Sequence, residues 1–507
     1  MILLRLGAIF ITLFLIFTSL PPRSISAGNS NTEIIWSAPF DVSNTPGRTS
    51  TDPFLVADPT GKAHLFWAEK VSAIEGNQAD TVMYTAWDGI TWRKPVDLFF
   101  STGGTPIVAY PRAVIDEKGK IHLFWLSQPN FPNYALNYSN SLVSKAYNAM
   151  EWQPEETLVE DLTGTQYSFD VKYRPPGEIH VIFARVQQGA SPPEERAISY
   201  IKSTDYGETW SDPIDIFTFK SIDHGGSNLN LVVEGDLNIY TSWTEWDAFG
   251  NGSRIWFCRS IDNGTTWEKP IALSERIGNE YERDWSKIYA FDSDKLVIMW
   301  EGGWRAYRHA QYSEDGGISW SAPIDTFPWL IGENGTVEFA RDSNNVLHLF
   351  IAQRVREDYA RYGDQTNAAV WHSIWLGGRK WSEPQLVTPP VNLINPRAVI
   401  TGGNRVVLAW YTQRDLEIMV MTGTIQGAPY IVQPEWIAPS VDNPTPTFIS
   451  TEEQSQTSSM AIAASPTHSA NPNQEAIPLS KSWYLIIGVI LIILLFGSSL
   501  LIVKKKP

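Results

Sequence analysis

The chain has 507 residues, a formal net charge of −16 and a single cysteine. The acidic balance argues against a nucleic-acid partner, since phosphates are bound by basic patches. One cysteine excludes an intrachain disulfide framework, and the length suits one large domain with appendages.

The amino-terminal segment 1–27 predicts a secretory signal peptide. Arg5 is its basic flank, Leu6 to Leu20 is apolar, and small residues follow at Ser24, Ser26 and Ala27. This order of basic, apolar and small residues is typical of a cleaved export signal. We therefore expect the bulk of the chain to lie outside the cell.

A tryptophan followed within three residues by a proline recurs along the chain. The tryptophans occupy positions 36, 92, 152, 210, 267, 320 and 381, at intervals of 53 to 61 residues. A self-similar period of this length indicates a repeat array such as a β-propeller.

Three of these repeats keep a longer motif, S-x-D-x-G-x-x-W, at Ser203–Trp210, Ser260–Trp267 and Ser313–Trp320. Its Asp can accept backbone N–H bonds in a turn, its Gly supplies a positive φ, and its Trp can pack between neighbouring sheets. The motif resembles the Asp-box, or BNR, repeat of the sialidase superfamily. The resemblance implies that these turns lie on the face away from the catalytic pocket, so we interpret their aspartates as structural.

A second marker, an apolar strand after a turn, also occurs seven times, first in Gly61–Trp67 and last in Val406–Trp410. We therefore predict an all-β, seven-bladed propeller over residues 33–430, with six blades as the alternative because most sialidases of the family have six. The last blade lacks its Trp-bearing fourth strand, and Trp36 has no hairpin of its own. We expect Ile34 to Phe40 to fill that place and close the ring.

The carboxyl-terminal part predicts a stalk and an anchor. Residues 437–481 are rich in Ser, Thr, Pro, Asn and Gln, a composition that cannot bury enough apolar surface to fold. Residues 483–503 are apolar and long enough for a transmembrane helix, and the tail 504–507 is basic. We expect a single-pass protein of the cell membrane, with its amino-terminal domain extracellular.

Candidate site residues lie where inner strands begin and second strands end, because these points meet at one mouth of a propeller's channel. The resemblance implies a sialidase-like pocket, in which three arginines hold the substrate carboxylate, an Asp protonates the leaving oxygen, and a Glu activates a Tyr nucleophile. The candidates for catalysis are Asp52, Asp284, Glu301 and Tyr307. The candidates for substrate binding are Arg112, Arg397, Tyr110 and, as the third arginine, Arg305 or Arg356.

Two other interpretations stay open at this point. Arg112 and Arg397 can instead form channel-lining ion pairs with Asp52 or Asp284. The function hypothesis is a surface-anchored propeller that binds terminal sugars of extracellular glycans, with exo-sialidase-like hydrolysis as its enzymatic form. The alternative is a non-catalytic glycan-binding or protein-interaction scaffold, since a fold does not determine a function. We expect no cofactor and no metal.

Overall fold

The computed structural model describes residues 33–71, 78–101, 107–130, 133–162, 168–187, 195–219, 221, 223–247, 249–275, 283–303, 305–332, 335–356, 367–391, 393–412 and 414–433. The predicted signal peptide 1–27, stalk 437–481, membrane segment 483–503 and tail 504–507 lie outside these residues. Within them, we find no helix with the length and apolarity needed to cross a bilayer.

The described residues form seven blades of antiparallel strands, preceded by two short strands, β1 (Ile34–Trp36) and β2 (Phe40–Asp41). A single pairing, Leu162 with Arg185, joins blades two and three into one sheet. Blade one contains β3 (Ser50–Ala57), β4 (Ala63–Glu69), β5 (Thr81–Trp87) and β6 (Val96–Phe100). Blade two contains β7 (Val108–Ile115), β8 (Lys120–Asn130), β9 (Asn133–Leu142) and β10 (Glu156–Leu162), with a 3-10 turn at Ala149–Glu151. Blade three contains β11 (Phe169–Arg174), β12 (Glu178–Gln187), β13 (Glu195–Ser203) and β14 (Ile214–Thr218).

The other four blades follow the same order along the chain. Blade four contains β15 (Gly225–Glu234), β16 (Asn238–Trp246), β17 (Gly252–Ser260) and β18 (Ile271–Glu275). Blade five contains β19 (Asp284–Ala290), β20 (Leu296–Gly302), β21 (Tyr307–Ser313) and β22 (Ile324–Asp325). Blade six contains β23 (Leu330–Ile331), β24 (Val337–Arg341), β25 (Leu347–Val355), β26 (Ala369–Gly377), β27 (Lys380–Trp381) and β28 (Gln385–Leu386). Blade seven contains β29 (Leu393–Thr401), β30 (Arg405–Thr412) and β31 (Ile418–Ile425).

The amino-terminal strands complete blade seven, as the sequence predicts. Ile34 pairs with Ile425, and Phe40 pairs with Val420, both antiparallel. The indole of Trp36 packs edge-on against Phe350 of blade six, with ring centroids 6.4 Å apart. The seven-bladed prediction is therefore confirmed over its six-bladed alternative.

The blades surround a common axis. The innermost strand of each blade, which is its first strand except in blade six, where it is β24, contacts the innermost strand of the next blade. The innermost strand of blade seven, β29, contacts β3 of blade one. Second strands are sandwiched between neighbouring blades, so β4 and β20 are buried at every residue. Strands that are covered on both faces read as continuous apolar runs, which explains why these segments are so apolar.

The three full motif copies adopt one hydrogen-bonded turn. In the first copy the Asp205 carboxylate accepts bonds from the Thr209 backbone N–H at 2.9 Å and the Thr209 hydroxyl at 2.6 Å. The Gly207 N–H donates to Ser203 Oγ at 2.9 Å, and its φ of 79° is one that glycine adopts without strain. The other two copies repeat these bonds around Asp262 and Asp315.

The tryptophan that ends each motif packs on the preceding blade. Trp210 meets Tyr138 of blade two with centroids 5.4 Å apart, and Trp267 meets Tyr200 of blade three at 5.1 Å, both edge-on. Each indole thus covers the seam between two sheets, which is the packing role that the sequence predicts. Aromatic pairs in this geometry add stability beyond the area they bury.

Candidate functional site

The central channel contains a cavity of about 510 Å³ lined by the first strands of all seven blades. Each lining strand begins at one end of the channel, which we call the mouth. Propeller blades converge at such an end, so side chains that are far apart in sequence meet there.

One position per blade forms a ring around this cavity. The seven positions are equivalent in strand register. In blade two, for example, Arg112 pairs with Phe124, which directly precedes the buried Trp125 of the second strand. In each of the other blades the ring residue likewise pairs with the residue that directly precedes a buried aromatic residue or isoleucine of the second strand. All seven side chains line the cavity: Phe54, Arg112, Asp170, Asn230, Lys287, Glu338 and Arg397.

A repeated backbone feature aims these side chains. In blades one, two, four, five and seven the strand register shifts just before the ring residue, as in a β-bulge. Two residues before the ring position, each of these strands carries a non-glycine residue at φ between 51° and 56°: Asp52, Tyr110, Asn228, Trp285 and Asn395. Left-handed backbone is costly for Tyr and Trp, and such strain concentrates at functional sites.

Charges around the ring are paired between blades. Glu338 of blade six lies 2.5 Å from Arg397 Nη1 of blade seven and 3.3 Å from Lys287 Nζ of blade five. Burial raises the pKa of Glu338, but Lys287 and Arg397 outweigh it and hold that pKa below its usual value. Burial lowers the pKa of the Lys287 ammonium.

Asp170 is the ring carboxylate of blade three. It accepts bonds from Lys172 Nζ at 2.9 Å and from the Leu231 backbone N–H of blade four, also at 2.9 Å. Burial acts to raise its pKa, but Lys172, Lys287 and Arg112 together lower it. Asp170 therefore stays ionised and ties blade three to blade four.

On the opposite side of the seven-residue ring, two guanidinium groups flank the phenyl group of Phe54. The Cζ atoms of Arg112 and Arg397 lie 5.0 Å and 6.0 Å from the centre of the Phe54 ring. Both arginine side chains are almost fully buried. The predicted substrate-binding residues of blades two and seven thus meet across blade one.

Asp52 lies on the mouth side of this group, one layer above Phe54. Its side chain is partly exposed and is not among the described residues that line the cavity. Desolvation raises the pKa of its carboxyl to about 6, against the attraction of Arg112 and Arg397. Such a carboxyl exchanges protons near neutral pH, which suits a general acid. The predicted alternative, a channel-lining ion pair of Arg112 and Arg397 with Asp52 or Asp284, stays a prediction: both arginines attract the charge of Asp52, and Arg397 is paired with Glu338.

The other predicted residues occupy different places. Tyr110 packs against the core between blades two and three, and its backbone N–H bonds to Asp52. Asp284 accepts bonds from the Asn228 side-chain amide and, at 2.8 Å, from the Trp285 N–H. It therefore links blades five and four rather than lining the described cavity.

Glu301 is fully buried, and Arg308 Nη2 lies 2.5 Å from its Oε1. Arg305 and Tyr307 are partly exposed in and after the loop between β20 and β21, and neither is among the described residues that line the cavity. Arg356, the other candidate for a third arginine, donates to the Pro328 carbonyl at 3.3 Å. The structure thus brings together Asp52, Arg112 and Arg397, but not the remaining candidates.

Sequence reasoning missed a His–Glu pair at the mouth of blade four. His224 Nδ1 lies 2.6 Å from Glu245 Oε1, and the Trp256 indole N–H donates to Glu245 Oε2 at 2.6 Å. The carboxylate orients the imidazole, whose side chain is 33% exposed. Such a pair can accept or donate a proton. The available signal was the His224-Gly225-Gly226 run before an inner strand.

Among the described residues, no group of three or more His, Cys, Asp or Glu side chains is placed to hold a metal ion. The arrangement of charged and aromatic side chains offers three kinds of chemistry. Arg112 and Arg397 can bind an anion, Phe54 presents an apolar face, and Asp52 and His224 can transfer protons.

No protein-family profile matches the chain, and a comparison with curated proteins also gave no match. Among solved structures, the chain is similar to a polysaccharide lyase of family PL25, an ulvan lyase. The identity is 12%, the TM-score is 0.50, and the match covers 76% of this chain and 96% of that one. A PL25 ulvan lyase bound to -[GlcA(1-4)Rha3S]- is similar at 13% identity and the same TM-score and coverage.

A sialidase of Trypanosoma rangeli is also similar, at 11% identity and a TM-score of 0.38, covering 74% of this chain and 55% of that one. The ulvan lyase likeness shows a shared propeller-like fold.

Proposed function

We propose that the channel mouth binds the acidic terminal sugar of extracellular glycans and hydrolyses its glycosidic bond in the manner of a sialidase. The observation that carries this proposal is the placement of Arg112 and Arg397 on either side of Phe54, below Asp52. The three hydrogen-bonded turns support it, because they fit the Asp-box repeats of the sialidase superfamily. The PL25 ulvan lyase bound to a saccharide with GlcA, an acidic sugar, has the same kind of fold.

The charges of the described channel residues favour an acidic ligand. The cations Arg112, Lys172, Lys287 and Arg397 and the carboxylates Asp170, Glu234 and Glu338 line the cavity. Together with Asp52, which is attracted to Arg112 and Arg397, this group carries one positive charge in excess when Asp52 is protonated. A ligand carboxylate would balance that charge. Phe54 would bury the apolar face of the sugar ring, as aromatic side chains do in pockets.

Asp52 would act as the general acid. With a pKa of about 6 it is partly protonated in mildly acidic solution and can donate to the leaving oxygen. His224, whose Nδ1 faces Glu245, would be the second proton-transfer group. We therefore expect hydrolysis to be fastest on the acidic side of neutrality.

A second candidate function is glycan binding without turnover. The pairing of Glu301 with Arg308 favours it, because a buried carboxylate bound to a guanidinium is a poor base for activating Tyr307. In that case the mouth would retain acidic sugars and release them unchanged.

The two functions separate in one experiment with a fluorogenic sialoside and an immobilised acidic glycan panel. The hydrolase proposal expects turnover that falls at least about a hundredfold in Asp52→Asn, roughly the contribution of general acid catalysis. Arg112→Ala and Arg397→Ala should lose both turnover and retention, whereas Arg379→Ala, far from the channel in the β26–β27 turn, should keep both. Retention without turnover supports glycan binding alone. The absence of both turnover and retention contradicts both functions.

We also propose that the protein is exported and held at the cell membrane by residues 483–503, with the propeller outside. The support is the sequence pattern alone: an export signal, an apolar segment of bilayer length and a basic tail. Protease treatment of intact cells should release a fragment that contains the propeller. Recovery of the whole chain in a soluble fraction would contradict the anchor.

A further inference from the structure

We propose that a second cavity, at the end of the propeller opposite the mouth, binds a small ring-bearing carboxylate. The cavity has a volume of about 250 Å³ and lies between blades one and two. The turns that follow β3 and β7 and the ends of β5 and β9 surround it, and these points lie at the other end of the strands from Asp52 and Arg112. This proposal does not depend on the function of the channel.

The cavity exists because blade two departs from the repeated turn. In blade three the turn glycine, Gly207, sits so close to Tyr138 of the preceding blade that an added Cβ would lie 2.1 Å from its hydroxyl. Gly264 covers Tyr200 in the same way, at 2.5 Å. The full copies therefore close this space at the seams that they cover.

At the seam of blades one and two the equivalent tyrosine is Tyr84, which bonds to His64 as Tyr138 bonds to His122. The segment that covers it runs from Ser141 to Trp152, twelve residues in place of the eight of a full copy. Its Tyr147 ring lies 5.0 Å from the Tyr84 ring, and the space beside the two rings stays open.

Aromatic side chains form the rigid part of this cavity. The Tyr147 hydroxyl accepts the Ala86 backbone N–H at 2.6 Å, which fixes the ring, and Tyr84 is held by His64 at 2.8 Å. Trp87 adds a third aromatic wall. Fixed rings favour a ligand with a flat or ring-shaped body.

Three cations line the cavity: Lys62, Arg93 and Lys118. The guanidinium carbon of Arg93 lies 4.8 Å from the centre of the Tyr147 ring, and the Lys118 ammonium lies 3.2 Å from that of Tyr206. The carboxylate among the lining residues, Asp88, is occupied by the backbone N–H groups of its own turn at 2.8 and 2.9 Å. Asp58, behind His64, is likewise bonded to Thr60 and the Lys62 N–H.

The balance of charge therefore selects an anion. The volume of about 250 Å³ is room for one ring and its carboxylate. Sugar acids and aromatic acids share this chemistry. A sugar acid would pack its sugar ring on Tyr84 and Tyr147, whereas an aromatic acid would pack its aromatic ring there.

The test is isothermal titration of the purified full chain with benzoate and with glucuronate, using benzamide and glucose as neutral counterparts. We expect at least one acid to bind and its neutral counterpart to bind at least about tenfold more weakly, the effect of one lost charge-assisted contact. Binding of benzoate alone identifies an aromatic acid, and binding of glucuronate alone identifies a sugar acid.

Three variants locate the binding. Arg93→Gln, an exposed position, should weaken it about tenfold, and Ser144→Phe, at the open side of the cavity, should abolish it. Lys145→Gln removes the same charge from a neighbouring side chain that instead pairs with Glu151, and it should bind as the wild type does. Arg112→Gln should also leave this binding intact, which separates it from the channel. No binding of either acid, equal binding of the neutral compounds, or unchanged binding in Arg93→Gln and Ser144→Phe would overturn the proposal.

Discussion

Among the described carboxyl groups, Asp52 is the one for which we predict the clearest reversal of the usual dependence of folding stability on pH. Burial raises its pKa from 3.8 to about 6, even though Arg112 and Arg397 attract its charge. The folded state therefore binds the proton more tightly than the unfolded chain does. The stability that the protonated form contributes is complete below the unfolded pKa of 3.8 and is lost as the pH rises through about 6.

The size of the effect follows from that shift. From 3.8 to about 6 is roughly two pKa units, and each unit corresponds to ~1.4 kcal/mol, which gives an upper bound of ~3 kcal/mol. Because the Asp52 side chain is partly exposed, we expect ~1–2 kcal/mol. Asparagine has the shape of the neutral acid and no charge. Asp52→Asn should therefore match the wild type near pH 4 and exceed its unfolding free energy by ~1–2 kcal/mol at pH 7.5.

Urea unfolding followed by tryptophan fluorescence, at several pH values from 4 to 8, measures this difference. Asp262→Asn is the matched control of opposite sign. Hydrogen bonds from Thr266 lower the pKa of Asp262 to about 2, so its carboxylate stabilises the fold above the unfolded pKa and the variant should be less stable at neutral pH. A pH-independent offset for Asp52→Asn, or a less stable variant at pH 7.5, would refute the reasoning.

Three further predictions concern the fold. Burial raises the pKa of the Cys258 thiol to about 12, so it should not react with a disulfide reagent at pH 8 until the protein unfolds; reaction of the native protein at the rate of a free thiol contradicts this. Trp36→Ala removes the indole that packs blade seven against blade six and should lower the unfolding free energy by ~2 kcal/mol, less than the ~3–5 kcal/mol for a fully buried Trp. Trp36→Phe should recover part of this loss. An unchanged unfolding free energy in Trp36→Ala would contradict ring closure by β1. Glu301→Gln leaves the Arg308 guanidinium buried without its charged partner and should lower the unfolding free energy by ~3–5 kcal/mol. The double variant Glu301→Gln with Arg308→Met should recover much of this loss. An equal loss in the single and the double variant would contradict the pairing.

The fold could be predicted because its signals are local and repeated. The spacing of tryptophans counts the blades, and the lone Trp36 together with the incomplete last blade requires the closure that pairs Ile34 with Ile425. Both signals depend on strand period and turn chemistry, which a short window of sequence contains.

The candidate site could be predicted only in part. The positions of Arg112 and Arg397 could be predicted because inner-strand starts converge, and both line the cavity. Asp284 was expected at the mouth and instead bonds to Asn228. The β-bulge in blade five explains why Asp284 does not face the channel. The register shifts after Asp284, Trp285 has a left-handed backbone, and the channel-facing residue is Lys287, two positions after Trp285. Aligning the strands on their second-strand partners would have identified Lys287.

Ion pairs between blades had no sequence signal. Lys287 and Glu338 are 51 positions apart and belong to different blades, so their contact depends on the geometry of the closed ring. The His224–Glu245 pair has the same origin within one blade, because a strand pairing brings together residues 21 positions apart. Side-chain pairs of this kind follow from register, which the residue types alone do not determine.

The most direct test of the account is whether the channel mouth recognises a sugar through its carboxylate. Titration with the α-methyl glycoside of N-acetylneuraminic acid and with its methyl ester compares a charged ligand with a neutral one of nearly the same shape. We expect the acid to bind about 10- to 100-fold more tightly, the effect of a charge-assisted bond to a guanidinium, and this preference to disappear in Arg112→Ala and Arg397→Ala. Equal binding of acid and ester, or a preference that survives both substitutions, would contradict the proposed site.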